Sequence, residues 1–469
     1  MRAKETYLFE KRSMFGALLR LVFPTVIGQI ILVIYNMADT FFIGMSGNDA
    51  MLTAVTICMP AFMFLSAISN LFGVGGASVI SRSLGLGDVK RAELSSGFAF
   101  WGCLSVTLLY CLVAFLLRHP FLELLGGTDP AVHALAEGYL ITTVVIGGLA
   151  SSMSLLFSHL IRAQGRSMVS SVGVGLGGIL NIFLDPLFMF QILPPGNEVL
   201  GAAIATALSN LISLCFFIVA LVVVRTQGSA LHFRPRKTMF RDRVPQDIFA
   251  AGIPACVMTL FENISYAVLD KLVSFAGTPA QAGLGVAKKI NMLSHSIVRG
   301  IAQGSLPLIA YNYSAGNHKR MRKAVTYANA MACLTALFAT GIFLAFAPAL
   351  VSVFIPGASV SAQYGAHFLR ILTLGAPFSA CAYTYISFFQ AVGRGRTSFI
   401  LAILRKGVVD IPLMLLFFHI STDLIVAATP IADMICCAAS LVCYFLFLRS
   451  LSPSGRKGTD PSLRTVHSL

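Results

Sequence analysis

The stretch Gly87-Asp88-Val89-Lys90-Arg91 recurs as Gly316-Asn317-His318-Lys319-Arg320, just after the second long apolar run of each half of the chain. Three further pairs keep the same order at nearly the same offset. Pro24 matches Pro254, near the start of each half. Arg162-Ala163-Gln164-Gly165-Arg166 matches Gln390-Ala391-Val392-Gly393-Arg394, and Asp185-Pro186-Leu187 roughly matches Ile411-Pro412-Leu413. Each match is weak by itself. Four in order, about 230 residues apart, point to an internal duplication.

The solvent of this duplicated chain follows from composition. Of 469 residues, 57% are hydrophobic and only 11% charged, and the mean hydropathy is +0.82. Soluble domains carry about 25% charged residues. The chain therefore reads as an integral membrane protein. A spanning helix needs roughly 20 apolar residues. Twelve such runs are predicted, over 17–43, 51–80, 94–117, 135–160, 167–190, 200–224, 247–275, 280–311, 324–347, 365–391, 397–419 and 424–448. The eighth carries Lys288, Lys289 and Arg299 and is the least apolar in character.

Positive charge sets the expected orientation. Counting Arg20 with the N-terminal segment, 26 of the 34 Lys and Arg fall in that segment, in the even-to-odd loops and in the tail. The opposite loops hold only Arg118. Both termini are thus expected in the cytoplasm, with the protein crossing the cell (inner) membrane many times. The net charge of +15 serves orientation and contact with anionic lipid heads, so no nucleic-acid partner is needed. The ten Cys all lie in apolar runs, with no metal-site spacing or disulfide framework. No cleavage-type signal region precedes the first run.

The expected fold is an all-α membrane protein of twelve transmembrane helices in two six-helix lobes. Six is even, so both lobes enter and leave on one side and are related by a pseudo-twofold along the membrane normal. The expected organisation is a cytoplasmic segment 1–16, a first lobe 17–224, a cytoplasmic linker 225–246, a second lobe 247–448 and a cytoplasmic tail 449–469. Two like-oriented lobes around a cavity suit alternating access.

Acids within these runs mark the candidate site. A charge at mid-bilayer costs at least about 2.5–3.5 kcal/mol on insertion scales, so it is retained for a task. The first run holds Pro24, which bends a helix, then Tyr35 and Asp39. Asp39 is either a titratable or cation-binding acid on a bendable helix, or a capping residue near the outer interface. Asn181 and Asp185 lie four apart, on one helix face. Their oxygens suit Na⁺ or a proton held in a polar network; the alternative is interhelical hydrogen bonding alone. Thr206 can add a hydroxyl and Ala202, one turn earlier, a backbone carbonyl. In the second half, Glu262, Gln303, Asp410 beside Arg405 and Lys406, and Asp433 are the intramembrane polar residues of interest. Pro24, Tyr35, Glu262 and Gln303 are candidates for gating and substrate contact. His159 and His295 read as hydrogen-bonded helix residues, and Asp270-Lys271 as interfacial. No paired-acid prenyl motif, HExxH or GxSxG is found, so an enzyme is disfavoured.

The run Tyr35-Asn36-Met37-Ala38-Asp39-Thr40 with Gly44, Asn181-x3-Asp185-Pro186, Gly201-Ala-Ala-Ile-Ala-Thr206 and Pro307-Leu-Ile-Ala-Tyr-Asn-Tyr313 resemble the multidrug and toxic compound extrusion (MATE) family. The resemblance covers about residues 15–448 and is nearest the bacterial and archaeal branches. It implies a V-shaped secondary antiporter that exports organic, often cationic or amphipathic, compounds in exchange for Na⁺ or H⁺. It assigns cation coupling to Asp39, Asn181, Asp185 and Thr206, with Na⁺ or H⁺ as coupling ion and no other cofactor. It places the bending proline at Pro24, and a second-lobe acid used by some branches at Glu262. Those branches also carry an acid in the tenth run, and this chain has none there. A two-lobed chain contains its own pathway and is expected to work as a monomer. Two other readings remain open: a flippase of lipid-linked saccharides with a cationic cleft, and a membrane-embedded transferase.

Overall fold

The computed structural model describes residues 6–46, 48–124, 129–355, 357 and 359–451, of which the side chain of residue 49 is not described. Every described secondary-structure element is helical, and each of the twelve predicted runs is found. We name them α1 (Met14–Met45), α2 (Asp49–Gly85), α3 (Val89–Leu116) and α4 (Pro130–Leu140 through Gly148–Ala163). Then come α5 (Ser167–Leu187, continued as the π-helical Phe188–Ile192), α6 (Glu198–Thr226), α7 (Val244–Ser274) and α8 (Thr278–Ser314). The last four are α9 (His318–Ser352), α10 (Val360–Thr373 and Ala376–Ala391), α11 (Gly395–Ile403 through Asp410–Phe417) and α12 (Thr422–Ser450). By length and hydropathy, eight helices pass as spans and ten if the bent pairs in α4 and α10 each count once. The remaining two are α8, diluted by its cations, and the segmented α11.

Several helices run further than their apolar runs because a polar cap extends them. α3 was expected from residue 94 and begins at Val89, where the Asp88 carboxylate accepts the Arg91 N–H at 2.9 Å. α9 was expected from 324 and begins at His318, where Asn317 accepts the Arg320 N–H at 3.2 Å. These caps lie in the duplicated stretch, and its two copies fold alike. Gly87 and Gly316 take φ of 75° and 73°, left-handed geometry that glycine adopts without a Cβ penalty. The following residue then donates its N–H five positions back, Asp88 to Ser83 and Asn317 to Asn312, both at 2.9 Å. The duplication is thus visible in the backbone.

Among the described residues the two halves share a core at one end only. One apolar cluster joins residues of both halves near the cation-rich loops, such as Leu18, Ile80, Leu160, Ile248, Leu308 and Phe388. At the opposite end each half has its own cluster, around Ile43, Leu65 and Leu140 in the first and Leu269, Leu284 and Leu369 in the second. The halves therefore meet at the cation-rich end and part towards the other. At the joined end α2 and α7 touch backbone to backbone: a Cβ on Gly252 would stand 1.9 Å from the Leu71 carbonyl oxygen. Arg91 of α3 pairs with Asp247 of α7, and Ser78 donates to the Gln390 carbonyl at 2.6 Å. The N-terminal turn Tyr7–Lys11 crosses the same junction. Phe9 stacks on Tyr311, its carbonyl accepts from Arg320 at 3.1 Å, and its ring packs against the position of Gly165.

Candidate functional site

The first-half site is assembled where α1 lies along α5. Ile31, Tyr35 and Asp39 recur every four residues and so share one face of α1. Gly175 and Gly178 of α5 admit that face: a Cβ on Gly178 would meet Ile31 at 2.9 Å and Tyr35 at 3.1 Å. The glycines, expected to serve close packing, thereby bring Asp39 towards Asp185, and the two carboxylates interact electrostatically. Tyr35 and Tyr139 lie in the same electrostatic neighbourhood. The helix irregularities have a chemical source. Pro24 and Pro186 have no N–H, so the carbonyls of Arg20 and Ile182 lose their ladder donors. Beyond Pro186 the chain passes into π-helical geometry over Phe188–Ile192.

Three of the expected coupling residues, Asn181, Asp185 and Thr206, are joined by hydrogen bonds here, and Asp39 acts on Asp185 electrostatically. Asn181 donates through Nδ2 to Asp185 Oδ1 at 3.0 Å and to Thr206 Oγ1 at 3.3 Å. Asp39, Asn181 and Asp185 are buried, at 5%, 2% and 0% exposure. Asp39 Oδ1, Asn181 Oδ1 and Asp185 Oδ2 are buried with no hydrogen-bond donor among the described residues. Three hard oxygens without donors are what a bound proton or an alkali cation would satisfy. Ala202 is buried in helix α6, one turn before Thr206, where its carbonyl keeps a second lone pair beyond the helical hydrogen bond.

Among the described residues the second half offers no such group of bare oxygens. Glu262 is held by Arg299 at 2.9 Å. Arg405 donates to Asp433 at 2.8 Å and to Ser379 at 2.6 Å. Lys406 donates to Asp410 at 2.9 Å, and Asp410 also accepts from Ser265 at 2.7 Å and Thr429 at 3.0 Å. Arg405, Lys406, Asp410 and Asp433 are all at most 2% exposed. Tyr383 lies under Arg405 and Arg299, and Tyr266 under Lys406 and Lys288. Arg405 and Asp410, five apart, each find a different partner, and a π-helical turn over Leu404–Val408 helps aim both cations inward. Asp270, expected at an interface, pairs with Lys288.

Gln303 bridges the halves. Its Oε1 accepts from Gln29 at 3.5 Å and from Arg162 at 3.2 Å, both of the first half. Gln29 and Arg162 were not singled out from the sequence; a buried Gln is a quiet signal, and Arg162 resembles a loop cation. His159 and His295 are hydrogen-bonded as expected, to Asn70 and Ser379. Lys289 of α8 is the cation that acts on Asp39 across the division between halves.

The sequence pattern described as MatE matches this chain twice, over residues 24–187 and 254–416. The chain belongs to the MATE family. The two matched segments are the two halves of the duplication, and each begins at its half's shared proline. MATE family members are membrane transporters. The multidrug export protein MepA of Staphylococcus aureus (strain MRSA252) is 28% identical over 456 residues, covering 95% of this chain and 97% of that protein. The protein of the same name from Staphylococcus saprophyticus is 27% identical over the same shares. Among solved structures, a MATE in the straight conformation superposes with a TM-score of 0.87 at 23% identity, covering 96% of this chain and 99% of the other. An outward-facing multidrug resistance MATE transporter gives 0.84 at 24% identity, covering 98% and 100%. These structures are twelve-helix, two-lobe transporters, which agrees with the fold expected from the sequence.

Proposed function

We propose that this protein is a secondary antiporter that exports organic, cationic or amphipathic, small molecules in exchange for Na⁺ or H⁺. The observation that carries this reading is the set of three buried, donorless oxygens on Asp39, Asn181 and Asp185. The relatives named as multidrug export proteins support the substrate class. In this mechanism Asp39 and Asp185 take a proton or Na⁺ from one side, and Asn181 and Thr206 hold the site in shape. Neutralising two neighbouring carboxylates removes their mutual repulsion and lets α1 settle against α5. Pro24 supplies the weak point at which α1 can bend. Only a difference in ion affinity between the bent and straight states can drive the change. Where the exchange moves one net charge through about 100 mV it gains about 2.3 kcal/mol, enough for roughly fifty-fold accumulation, whereas a monovalent cationic substrate exchanged one for one draws on the ion gradient alone.

The membrane is the cell membrane, with the cation-rich face and both termini in the cytoplasm, supported by the placement of 26 of 34 cations. On that assignment the halves are closed to the inside and parted towards the outside. The organisation into segment 1–16, lobe 17–224, linker 225–246, lobe 247–448 and tail 449–469 is retained, and the working unit is a monomer. A lipid-linked saccharide flippase would favour a cationic cleft. Two of the three α8 cations, Lys288 and Arg299, are instead neutralised within their own half, and Lys289 acts electrostatically on Asp39.

The test is dye efflux from proteoliposomes with Na⁺ and H⁺ gradients imposed independently. Asp39→Asn and Asp185→Asn are each expected to cut gradient-driven transport at least about tenfold, a loss of about 1.4 kcal/mol of coupling. Full transport in both variants would remove the coupling assignment.

A further inference from the structure

At the end where the halves part, the first half carries a group of residues that the transport reading leaves unused. A short helix over Arg118–Leu124 follows α3 and brings His119 against the first turns of α4. His133 and Glu137 lie four apart on α4 and therefore share the face that meets it. His119 Nδ1 and His133 Nε2 stand 3.1 Å apart, and His119 Nε2 lies 3.7 Å from Glu137 Oε1. One ligand atom from each of the three residues falls within 4.8 Å of the other two. His119 is exposed and the other two are half-buried, so the group is open to solvent.

We propose that His119, His133 and Glu137 form a divalent transition-metal site, selective for Zn²⁺ and its neighbours, at the outer corner of the first half. Two imidazoles and one carboxylate are a recurring Zn²⁺ donor set, with a fourth position left to water. Two Zn–N bonds of about 2.0–2.1 Å at a tetrahedral angle separate their nitrogens by roughly 3.3 Å. The observed 3.1 Å is close to that spacing. The imidazole rings lie nearly parallel, 9° apart, and their nitrogens share a hydrogen bond, so an ion would replace that bond once the exposed His119 turned towards it. Arg118 Nε donates to Glu137 Oε1 at 2.6 Å, and the same oxygen lies 3.7 Å from His119 Nε2, so the carboxylate is held beside the ring with which it would share an ion. Nitrogen donors exclude Mg²⁺ and Ca²⁺, which require oxygen shells. A bound ion would tie the end of α3 to the outer segment of α4, two residues from Tyr139 and its electrostatic contact with Asp39.

The test is titration of the purified, detergent-solubilised full chain with Zn²⁺ by calorimetry and with Co²⁺ by visible absorbance. One saturable Zn²⁺ site per chain, Co²⁺ bands of a tetrahedral site and no competition from Mg²⁺ are expected. His119→Ala and Glu137→Gln should each weaken Zn²⁺ binding at least about tenfold. Both change accessible side chains, and the Tm of the metal-free variants checks that they fold; Zn²⁺ should raise Tm in the wild type and not in either variant. Absence of saturable Zn²⁺ binding, displacement by Mg²⁺, or undiminished binding in His119→Ala/His133→Ala overturns the proposal.

Discussion

The two halves descend from one pattern and treat buried charge in opposite ways. In the first half, Asp39 and Asp185 approach each other with oxygens that meet no donor. In the second, Glu262, Asp410 and Asp433 each face a cation of their own half, Arg299, Lys406 and Arg405. Paired charges in a water-poor interior hold a fixed arrangement, because parting them costs several kcal/mol per ion. Asp39 and Asp185 each keep one buried oxygen without a donor, so no ion pair of this kind fixes them. The difference teaches that one duplicated fold can close its buried charges into ion pairs in one half and leave buried acceptors without donors in the other. Lys289 links them, being the second-half cation that acts on the first-half acid.

The strongest way to break this comparison is to strip the second half of a cation. Arg405→Met leaves Asp433 buried at 2% exposure without its partner, and Lys406→Met does the same to Asp410 at 0%. Each is expected to destabilise the protein by about 3–5 kcal/mol, read as a large fall in Tm of the purified protein. A Tm unchanged by either substitution would mean that the second-half pairs are not what holds it rigid.

A subtler contrast comes from making one chemical change in both halves. Glu262→Gln keeps the shape and leaves Arg299 without its carboxylate, so stability should fall by about 1.5–3 kcal/mol. Asp39→Asn removes a carboxylate whose Oδ1 has no donor, so stability should hold or rise while coupling is lost. Thermal unfolding of the two variants side by side decides the matter. Equal losses in both would erase the asymmetry.

Sequence reading reached one side of this contrast more fully than the other, for physical reasons. Asp39 and the Asn181–Asp185 pair announce themselves because an acid within an apolar run is costly, and i, i+4 spacing fixes a shared helix face. The repeat of Gly87-Asp88 as Gly316-Asn317 gave the duplicated architecture, since a left-handed glycine and a cap are local instructions. The pairing of Arg405 with Asp433 was out of reach. Its partners sit on separate helices, and no local spacing says which of several acids a cation will meet. The bends within α4 and α10, 45° and 46°, were likewise unseen, because the apolar run continues through each.

The smallest expected effect tests how finely the first-half site is built. Thr206 Oγ1 accepts from Asn181 Nδ2 at 3.3 Å, while the same Nδ2 also donates to Asp185 at 3.0 Å. Thr206→Val removes the acceptor and keeps the side-chain outline. Nδ2 retains Asp185 for one of its two N–H groups and leaves the other without an acceptor, so the cost should be about 1–2 kcal/mol. What changes is the aim of Asn181 Oδ1, the amide oxygen that would face the ion. The apparent affinity for the coupling ion should therefore fall several-fold, with maximal transport at saturating ion preserved. Titrating the driving ion in proteoliposomes separates the two quantities. A loss of maximal transport at unchanged ion affinity would move Thr206 out of the ion site and into the movement of α6 against α5.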